Sequence, residues 1–321
     1  MLYPLRNSIR CIGILTVGAT LVAVSSLEAR DYQFVTTSLP HYHVTTHILG
    51  TSPLGEFLSL DLVRRRLYGL GNLVIDLDRD TIVDSLPFPA AGGYALAPDV
   101  GRGLTRKGML FDLTTRAAGE TIDHPADDAI YEPVTHRAFL LDNITTVIDM
   151  TTGKQVARVA LGDVSWGAAD GHGALFIGLE KPAVVIQVNA ASVQIERRFA
   201  VPGCTNAQGM AMDRRTRRLF VGCREGLGVV NADNGHLVTV LPMPGQDENH
   251  DFDPARKLIF YLAGGKLTIV HEEGPDTYRI VQQLAISGSA VVVDPKTHKV
   301  YALGFDTDKH VTQVTVAAPD K

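Results

Sequence analysis

The densest group of polar, potentially ligating side chains in the sequence lies at residues 247 to 251, which read Asp-Glu-Asn-His-Asp. Carboxylate and amide oxygens are the ligands of hard divalent cations, and a bound cation can polarise a carbonyl group or activate water. Further acidic residues, Glu56, Asp127 and Asp128, lie far away along the chain. Only a fold that brings distant segments together can combine these groups into one site.

The chain repeats one pattern, in which an acidic residue opens a polar turn and a short apolar strand follows. The clearest copy runs from Asp213 to Gly222. Its aromatic position recurs every 34 to 44 residues, a period that is typical of repeat architectures. The equivalent positions in the seven units are Tyr68, Thr105, Phe139, Phe176, Phe220, Phe260 and Tyr301.

Each unit has the pattern of four short β-strands joined by tight turns. In the fifth unit the last two strands meet at Asn234-Gly235, a strong hairpin signal. The spacing leaves no room for helices, and four-stranded units must stack on one another to bury their apolar faces. The sequence therefore predicts an all-β fold, a seven-bladed β-propeller of four-stranded blades.

The two ends of the repeat region complement each other. The seventh unit is one strand short, whereas an additional β-type run, residues 42 to 48, precedes the first unit. We expect this N-terminal strand to complete the last blade and so to close the ring. The predicted propeller domain spans residues 41 to 318 as a single domain.

Several stretches carry a family resemblance: Tyr42-His43-Val44, Asp61 to Tyr68, Leu219 to Cys223, Leu267 to Val270 and Gly274 to Tyr278. Together they resemble the YVTN-repeat, YncE-like bacterial seven-bladed propellers. The resemblance covers nearly the whole chain after its N-terminal segment and implies the propeller fold. It leaves the function open, because such propellers serve many purposes and some family members have been linked with DNA binding.

The N-terminus has the layout of a secretory signal peptide. Arg6 and Arg10 precede an apolar run from Cys11 to Val24, and small residues up to Ala29 offer cleavage points. We predict a signal peptide at residues 1–29, a flexible lead-in at 30–40, and a periplasmic or secreted protein. An uncleaved membrane anchor is the alternative; after cleavage no membrane span is expected, and we expect a monomer.

Two cysteines, Cys204 and Cys223, belong to the predicted propeller domain. In an exported chain a pair of thiols is more often bridged than free. One cysteine precedes a first strand and the other ends the second strand of the same unit, so both should lie on the same rim of the blade. We predict a disulfide between them.

The loops that enter the first strand of each blade meet at one mouth of the propeller channel. The predicted binding residues at this mouth are Glu56, Tyr94, Asp127, Asp128, Trp166, Gln208, Glu248, Asn249 and His250. Trp166, the single tryptophan, is with Phe57 and Tyr94 a candidate stacking surface for a ligand or peptide; packing of these aromatic side chains between blades is the alternative. If the mouth holds a divalent metal ion, its predicted ligands are Glu56, Asp127, Glu248 and Asn249.

The favoured function is non-catalytic recognition of a small molecule, a peptide or a protein partner at the channel mouth, with no cofactor required. A metal-dependent hydrolase or lactonase is the alternative. DNA binding is a second one, suggested by the arginine runs at 64–66 and 214–218. Both runs occupy the repeated turn, which indicates solvated turns, and the net charge of −5 argues against a nucleic-acid partner.

Overall fold

The computed structural model describes residues 39–52, 57–90, 92–179, 183–243 and 249–320. Within these ranges the chain forms 28 strands, arranged in seven four-stranded antiparallel sheets, and no helix. None of the described segments is therefore a helix that could cross a membrane. The predicted all-β, seven-bladed propeller is confirmed. The predicted signal peptide and most of the lead-in lie outside the described residues.

Each sheet is one blade, and the first four blades follow the chain in order. Blade 1 contains β2 (Ser59–Asp61), β3 (Arg66–Gly69), β4 (Gly71–Asp76) and β5 (Thr81–Ser85). Blade 2 contains β6 (Tyr94–Ala97), β7 (Arg102–Thr105), β8 (Met109–Asp112) and β9 (Ala118–Thr121). Blade 3 contains β10 (Asp128–Glu132), β11 (Arg137–Leu141), β12 (Thr145–Asp149) and β13 (Lys154–Val159). Blade 4 contains β14 (Val164–Ala169), β15 (Ala174–Leu179), β16 (Val184–Asn189) and β17 (Gln194–Ala200).

The remaining three blades complete the ring. Blade 5 contains β18 (Gln208–Asp213), β19 (Arg218–Cys223), β20 (Gly226–Asn231) and β21 (Leu237–Pro242). Blade 6 contains β22 (His250–Asp253), β23 (Leu258–Ala263), β24 (Lys266–Gly274) and β25 (Thr277–Leu284). Blade 7 contains β26 (Ala290–Val293), β27 (Val300–Asp306), β28 (Val311–Pro319) and β1 (Tyr42–Leu49).

The N-terminal strand closes the ring, as predicted. β1 pairs antiparallel with β28 from Tyr42 opposite Pro319 to Leu49 opposite Gln313. The fourth strand of blade 7 thus comes from the opposite end of the chain. This pairing ties the beginning and the end of the repeat region together, so that neither the first nor the last blade is left as an open end.

The hydrophobic core is divided into seven clusters, one between each pair of neighbouring blades. The aromatic residue of the repeat lies in these clusters; Phe139, Phe176 and Phe220, for example, are fully buried. Large aromatic side chains bury 150–250 Å² each, which makes them strong contributors to this stacking. The apolar faces that a single blade cannot bury are covered by its neighbours.

The acidic residue of each repeat stabilises the turn that follows the first strand. Asp61 Oδ1, for example, accepts the backbone N–H groups of Val63 and Arg64 at 3.1 and 2.9 Å. A carboxylate that bonds the backbone two and three residues ahead satisfies donors that no strand partner reaches. Asp99 of blade 2 is partly exposed, whereas the acids of the other six blades are buried.

Among the described residues, the last residue of this turn connects neighbouring blades at four of the seven blade interfaces. It adopts a left-handed backbone conformation, with φ of +58° at Arg65 and at Arg217, and its side chain reaches the acid of the preceding blade. The arginine runs are therefore not merely solvated, because each supplies a cation to a buried carboxylate. The cross-blade pairs of this kind are Arg65 with Asp294, His136 with Asp99, Arg217 with Asp170, and His298 with Asp253.

Candidate functional site

Two aromatic rings meet across the channel at the predicted mouth. Phe57 precedes the first strand of blade 1, and Trp166 lies in the first strand of blade 4; their ring centroids are 6.1 Å apart. Blades 1 and 4 are not neighbours in the ring, so the contact spans the channel. The indole N–H of Trp166 is buried and has no hydrogen-bond acceptor among the described residues.

A β-bulge directs Trp166 to this position. The pairing of β14 with β15 shifts register between Val164 and Gly167, so the strand carries an extra residue just where Trp166 lies. A bulge re-aims the side chains of its strand and is frequent next to binding sites. The pairing of β6 with β7, in contrast, is regular, and Tyr94 at its start points between blades.

Asp128 and Arg106 place a titratable carboxyl group and a guanidinium beside the rings. The Asp128 carboxylate accepts the N–H of Ala129 at 2.7 Å, and burial raises the pKa of Asp128 to about 7. The Arg106 guanidinium lies 5.8 Å from the Phe57 ring centroid, within the range of a cation–π interaction. We call Phe57, Arg106, Asp128 and Trp166 the mouth cluster.

A glycine makes this arrangement possible. A Cβ atom at Gly93 would lie 2.8 Å from Oδ1 of Asp128 and 3.8 Å from the Phe57 ring. Any larger residue at position 93 would push the carboxylate away. Blade 2 therefore contributes an open position that lets Asp128 approach the aromatic rings.

The other predicted site residues fall into three groups. Tyr94 and His250 are buried between blades, where the Tyr94 hydroxyl donates to the Gly71 carbonyl and His250 Nε2 lies 2.9 Å from the Phe220 carbonyl oxygen. The half-buried or exposed residues at or next to the starts of first strands are Asp127, Gln208 and Asn249. Glu56 and Glu248 lie outside the described residues.

The predicted metal set is only partly within the described structure. Among the residues that the structure describes, no three His, Cys, Asp or Glu side chains come together as metal ligands. Two of the four predicted ligands, Glu56 and Glu248, lie beyond these ranges. The metal site therefore stays a prediction.

Arg106 belongs to the site but is not among the binding residues predicted from the sequence. It directly follows Thr105, the position at which most units have a buried aromatic residue. The corresponding next residue in the other units is apolar or glycine: Gly69, Leu140, Ile177, Val221, Tyr261 and Ala302. A charge at this place in one unit alone is the signal in the sequence that could have identified it.

The predicted disulfide joins Cys204 and Cys223, with an S–S distance of 2.01 Å. It connects the loop that enters β18 to the end of β19, and both cysteines are buried. Next to it, Thr205 donates through its backbone N–H to Glu225 at 2.8 Å. The bond therefore holds the entry loop of blade 5 against the same blade.

We expect the double substitution Cys204→Ser and Cys223→Ser to lower the free energy of unfolding by about 2 kcal/mol, because a cross-link of this span restricts the unfolded chain. Urea unfolding of both proteins measures the difference, and hydrogen exchange should show the largest loss of protection at residues 203–207. A wild-type protein that is equally stable with and without a reducing agent would contradict this expectation.

Comparisons with known proteins support the fold and leave the family open. No protein-family model matches the chain, and no curated protein matches it. The YncE-like resemblance is therefore not confirmed beyond the propeller itself. In contrast, 1290 chains of solved structures are similar, which makes the fold too widespread to indicate a function.

One solved structure illustrates the likeness. The WD40 repeats of RRP9 superimpose with a TM-score of 0.73 over 88% of this chain and 99% of that chain, at 8% sequence identity. At this identity the similarity shows the fold alone. The chain is a seven-bladed β-propeller of four-stranded blades.

Proposed function

We propose that the protein is a non-catalytic recognition propeller that binds a peptide segment of a partner protein at the mouth cluster. The observation that carries the proposal is the buried indole N–H of Trp166, which has no acceptor among the described residues and lies beside the Phe57 ring. A buried donor without an acceptor costs about 1–3 kcal/mol, and a ligand that supplies the acceptor recovers this free energy.

A peptide offers the complementary groups. Its carbonyl oxygen accepts the indole N–H, one of its N–H groups donates to Asp128, and its side chains pack on the two aromatic rings. Tryptophan, tyrosine and arginine are the residues most often found at binding hot spots. Arg106 supplies hydrogen-bond donors and Asp128 supplies acceptor oxygens, which suits a peptide backbone with its alternating N–H and carbonyl groups.

The proposed location of this recognition is the periplasm or the extracellular space. The disulfide of blade 5 is compatible with an oxidising compartment, and the signal-peptide pattern at residues 1–29 supports export. Its partner would then be another exported protein or an exposed segment of a membrane protein.

Selection of a random peptide library displayed on phage against the purified protein tests this proposal. Because Trp166 is the only tryptophan, its fluorescence reports directly on ligands at the mouth. We expect selected peptides to change the emission of the wild type and of Asp128→Asn. Titration calorimetry, which does not depend on tryptophan, should show that Trp166→Phe and Asp128→Asn each weaken peptide binding about tenfold, since one hydrogen bond in a desolvated site is worth roughly that factor.

The matched control is Asp276→Asn, which removes a carboxylate of similar chemistry from an exposed turn of blade 6. It should leave the affinity of the selected peptides unchanged. Peptides that bind the wild type and both mouth variants equally would overturn the proposal. A stoichiometric divalent ion whose removal abolishes peptide binding would favour the metal-dependent alternative.

A further inference from the structure

A chamber of about 460 Å³ lies in the opposite half of the channel. It is lined by the first strands of blades 4, 5 and 6 and by the turns that follow them, which lie at the end opposite the entry loops. The volume falls in the range of small-molecule sites. The chamber has space because Ala168 and Ala211 have small side chains. The equivalent positions of the repeat hold the larger Ile130 in blade 3 and Val292 in blade 7.

Asp251 provides a negative charge on the wall of this chamber. Its two carboxylate oxygens accept the N–H groups of Phe252 and Val293, each at 2.8 Å, which hold the group in a single orientation. Burial raises the pKa of Asp251 to about 6, so the carboxylate is charged at neutral pH. Each oxygen retains a second lone pair, and a desolvated carboxylate gains most from a cationic partner.

The outer end of the chamber is positively charged. Arg214 is anchored there, because its Nε donates to the Ala169 carbonyl at 3.1 Å. Arg215 is the freer of the two, with its side chain 64% exposed and its ion pair with Asp213 stretched to 3.9 Å. Because its side chain is exposed and its ion pair is long, the Arg215 guanidinium can bind the carboxylate of a ligand with little loss of existing contacts.

The wall between the two charges is apolar and is formed by Met210, Met212 and Phe252. Methionine side chains adapt to ligands of different shape. We propose that this chamber is a second binding site, which takes a small zwitterion with its ammonium group on Asp251, its carboxylate on Arg215 and its hydrocarbon part on this wall. The site shares no residue with the mouth cluster and does not depend on peptide binding there.

Three probes of matched shape test the proposal: 6-aminohexanoate, hexanoate and hexylamine. The flexible carbon chain lets the first probe adjust to the spacing of the two charges. Titration calorimetry with the disulfide-bonded protein should detect 6-aminohexanoate at concentrations up to about 10 mM, with each singly charged analogue binding about tenfold more weakly.

Two charge variants test which residue binds the ammonium group of the ligand and which binds its carboxylate. Asp251→Asn should weaken 6-aminohexanoate and hexylamine about tenfold and leave hexanoate unchanged. Arg215→Gln should weaken 6-aminohexanoate and hexanoate and leave hexylamine unchanged. The control is Arg79→Gln, which removes an exposed arginine from the turn between β4 and β5 of blade 1 and should have no effect.

A third variant keeps the test decisive if Asp251→Asn does not fold. Ala168→Leu fills the chamber without changing a polar group, and it should abolish the binding of all three probes. The proposal is overturned if the wild type binds none of the probes, if all three bind equally well, or if Ala168→Leu binds them as the wild type does.

Discussion

Replacement of Arg65 by alanine is expected to lower the free energy of unfolding by about 3 to 5 kcal/mol, since it leaves a buried carboxylate without its cation. Arg65 donates to both oxygens of Asp294, at 2.7 and 2.5 Å, and Asp294 is fully buried. The pair joins blade 7 to blade 1, which is the seam where the ring closes.

The pH dependence of stability provides an independent readout. Burial alone would raise the pKa of Asp294, but hydrogen bonds from Arg65 and the turn lower it to about 2. Because the folded-state pKa is below the unfolded value, the pair stabilises the protein above pH 4 and loses this contribution as the pH falls towards 2.

Urea unfolding at pH 7 and at pH 3 measures both effects. Arg65→Ala should be much less stable than the wild type at pH 7, and the difference should narrow at pH 3. The control Arg79→Ala removes an arginine that is 76% exposed and should cost less than about 1 kcal/mol. A similarly small effect for Arg65→Ala would show that the blade seam does not depend on this pair.

Replacement of Glu272 by methionine is expected to stabilise the protein at pH 8, by up to about 3 kcal/mol. Glu272 lies in β24, is fully buried, and its Oε2 has no hydrogen-bond partner among the described residues. Its backbone N–H bonds to the last residue of the first turn, Lys257, at 2.9 Å. The residues that make this backbone contact in other blades are Leu77, Leu113, Met150, Ala190 and Ala232, all of them apolar.

The environment of Glu272 explains why its charge is unfavourable. Three other blade interfaces bring a basic side chain to a buried acid, whereas this one brings a second carboxyl group to the buried Asp213. The Thr216 hydroxyl lies 2.7 Å from Asp213 and 3.1 Å from Glu272, and it has only one proton to donate. Burial and the proximity of Asp213 raise the pKa of Glu272 to about 7, although Arg215 partly offsets them.

The sign of the pH effect follows from this raised pKa. In the unfolded chain Glu272 ionises near pH 4.5, whereas in the folded protein it keeps its proton up to about pH 7. Wild-type stability therefore falls between these two values as the pH rises. The stability of Glu272→Met does not fall in this way. Its gain in the free energy of unfolding over the wild type should therefore be large at pH 8 and small at pH 4.

Thermal and urea unfolding at these two pH values check the prediction. Glu273→Met, at the neighbouring and more exposed position, is the matched control and should show no comparable pH-dependent gain. An equal gain for Glu272→Met at pH 4 and pH 8 would mean that packing, and not the buried charge, is the cause.

The sequence by itself determined the fold. A turn opened by an acid and followed by an apolar strand is a local pattern, and seven copies with a missing strand at one end and an additional strand at the other leave propeller closure as the consistent solution. The pairing of Cys204 with Cys223 was predictable for the same reason, since both lie in one unit and on one rim.

Only the tertiary structure decided where the side chains at the channel point. Adjacent side chains of a strand face opposite sides, so one extra residue reverses their direction. The bulge in β14 turns Trp166 towards Phe57, whereas the regular strands that contain Tyr94 and His250 direct these side chains between blades. The ion pair of Arg65 with Asp294 joins residues 229 positions apart, and it exists because ring closure brings the last blade against the first.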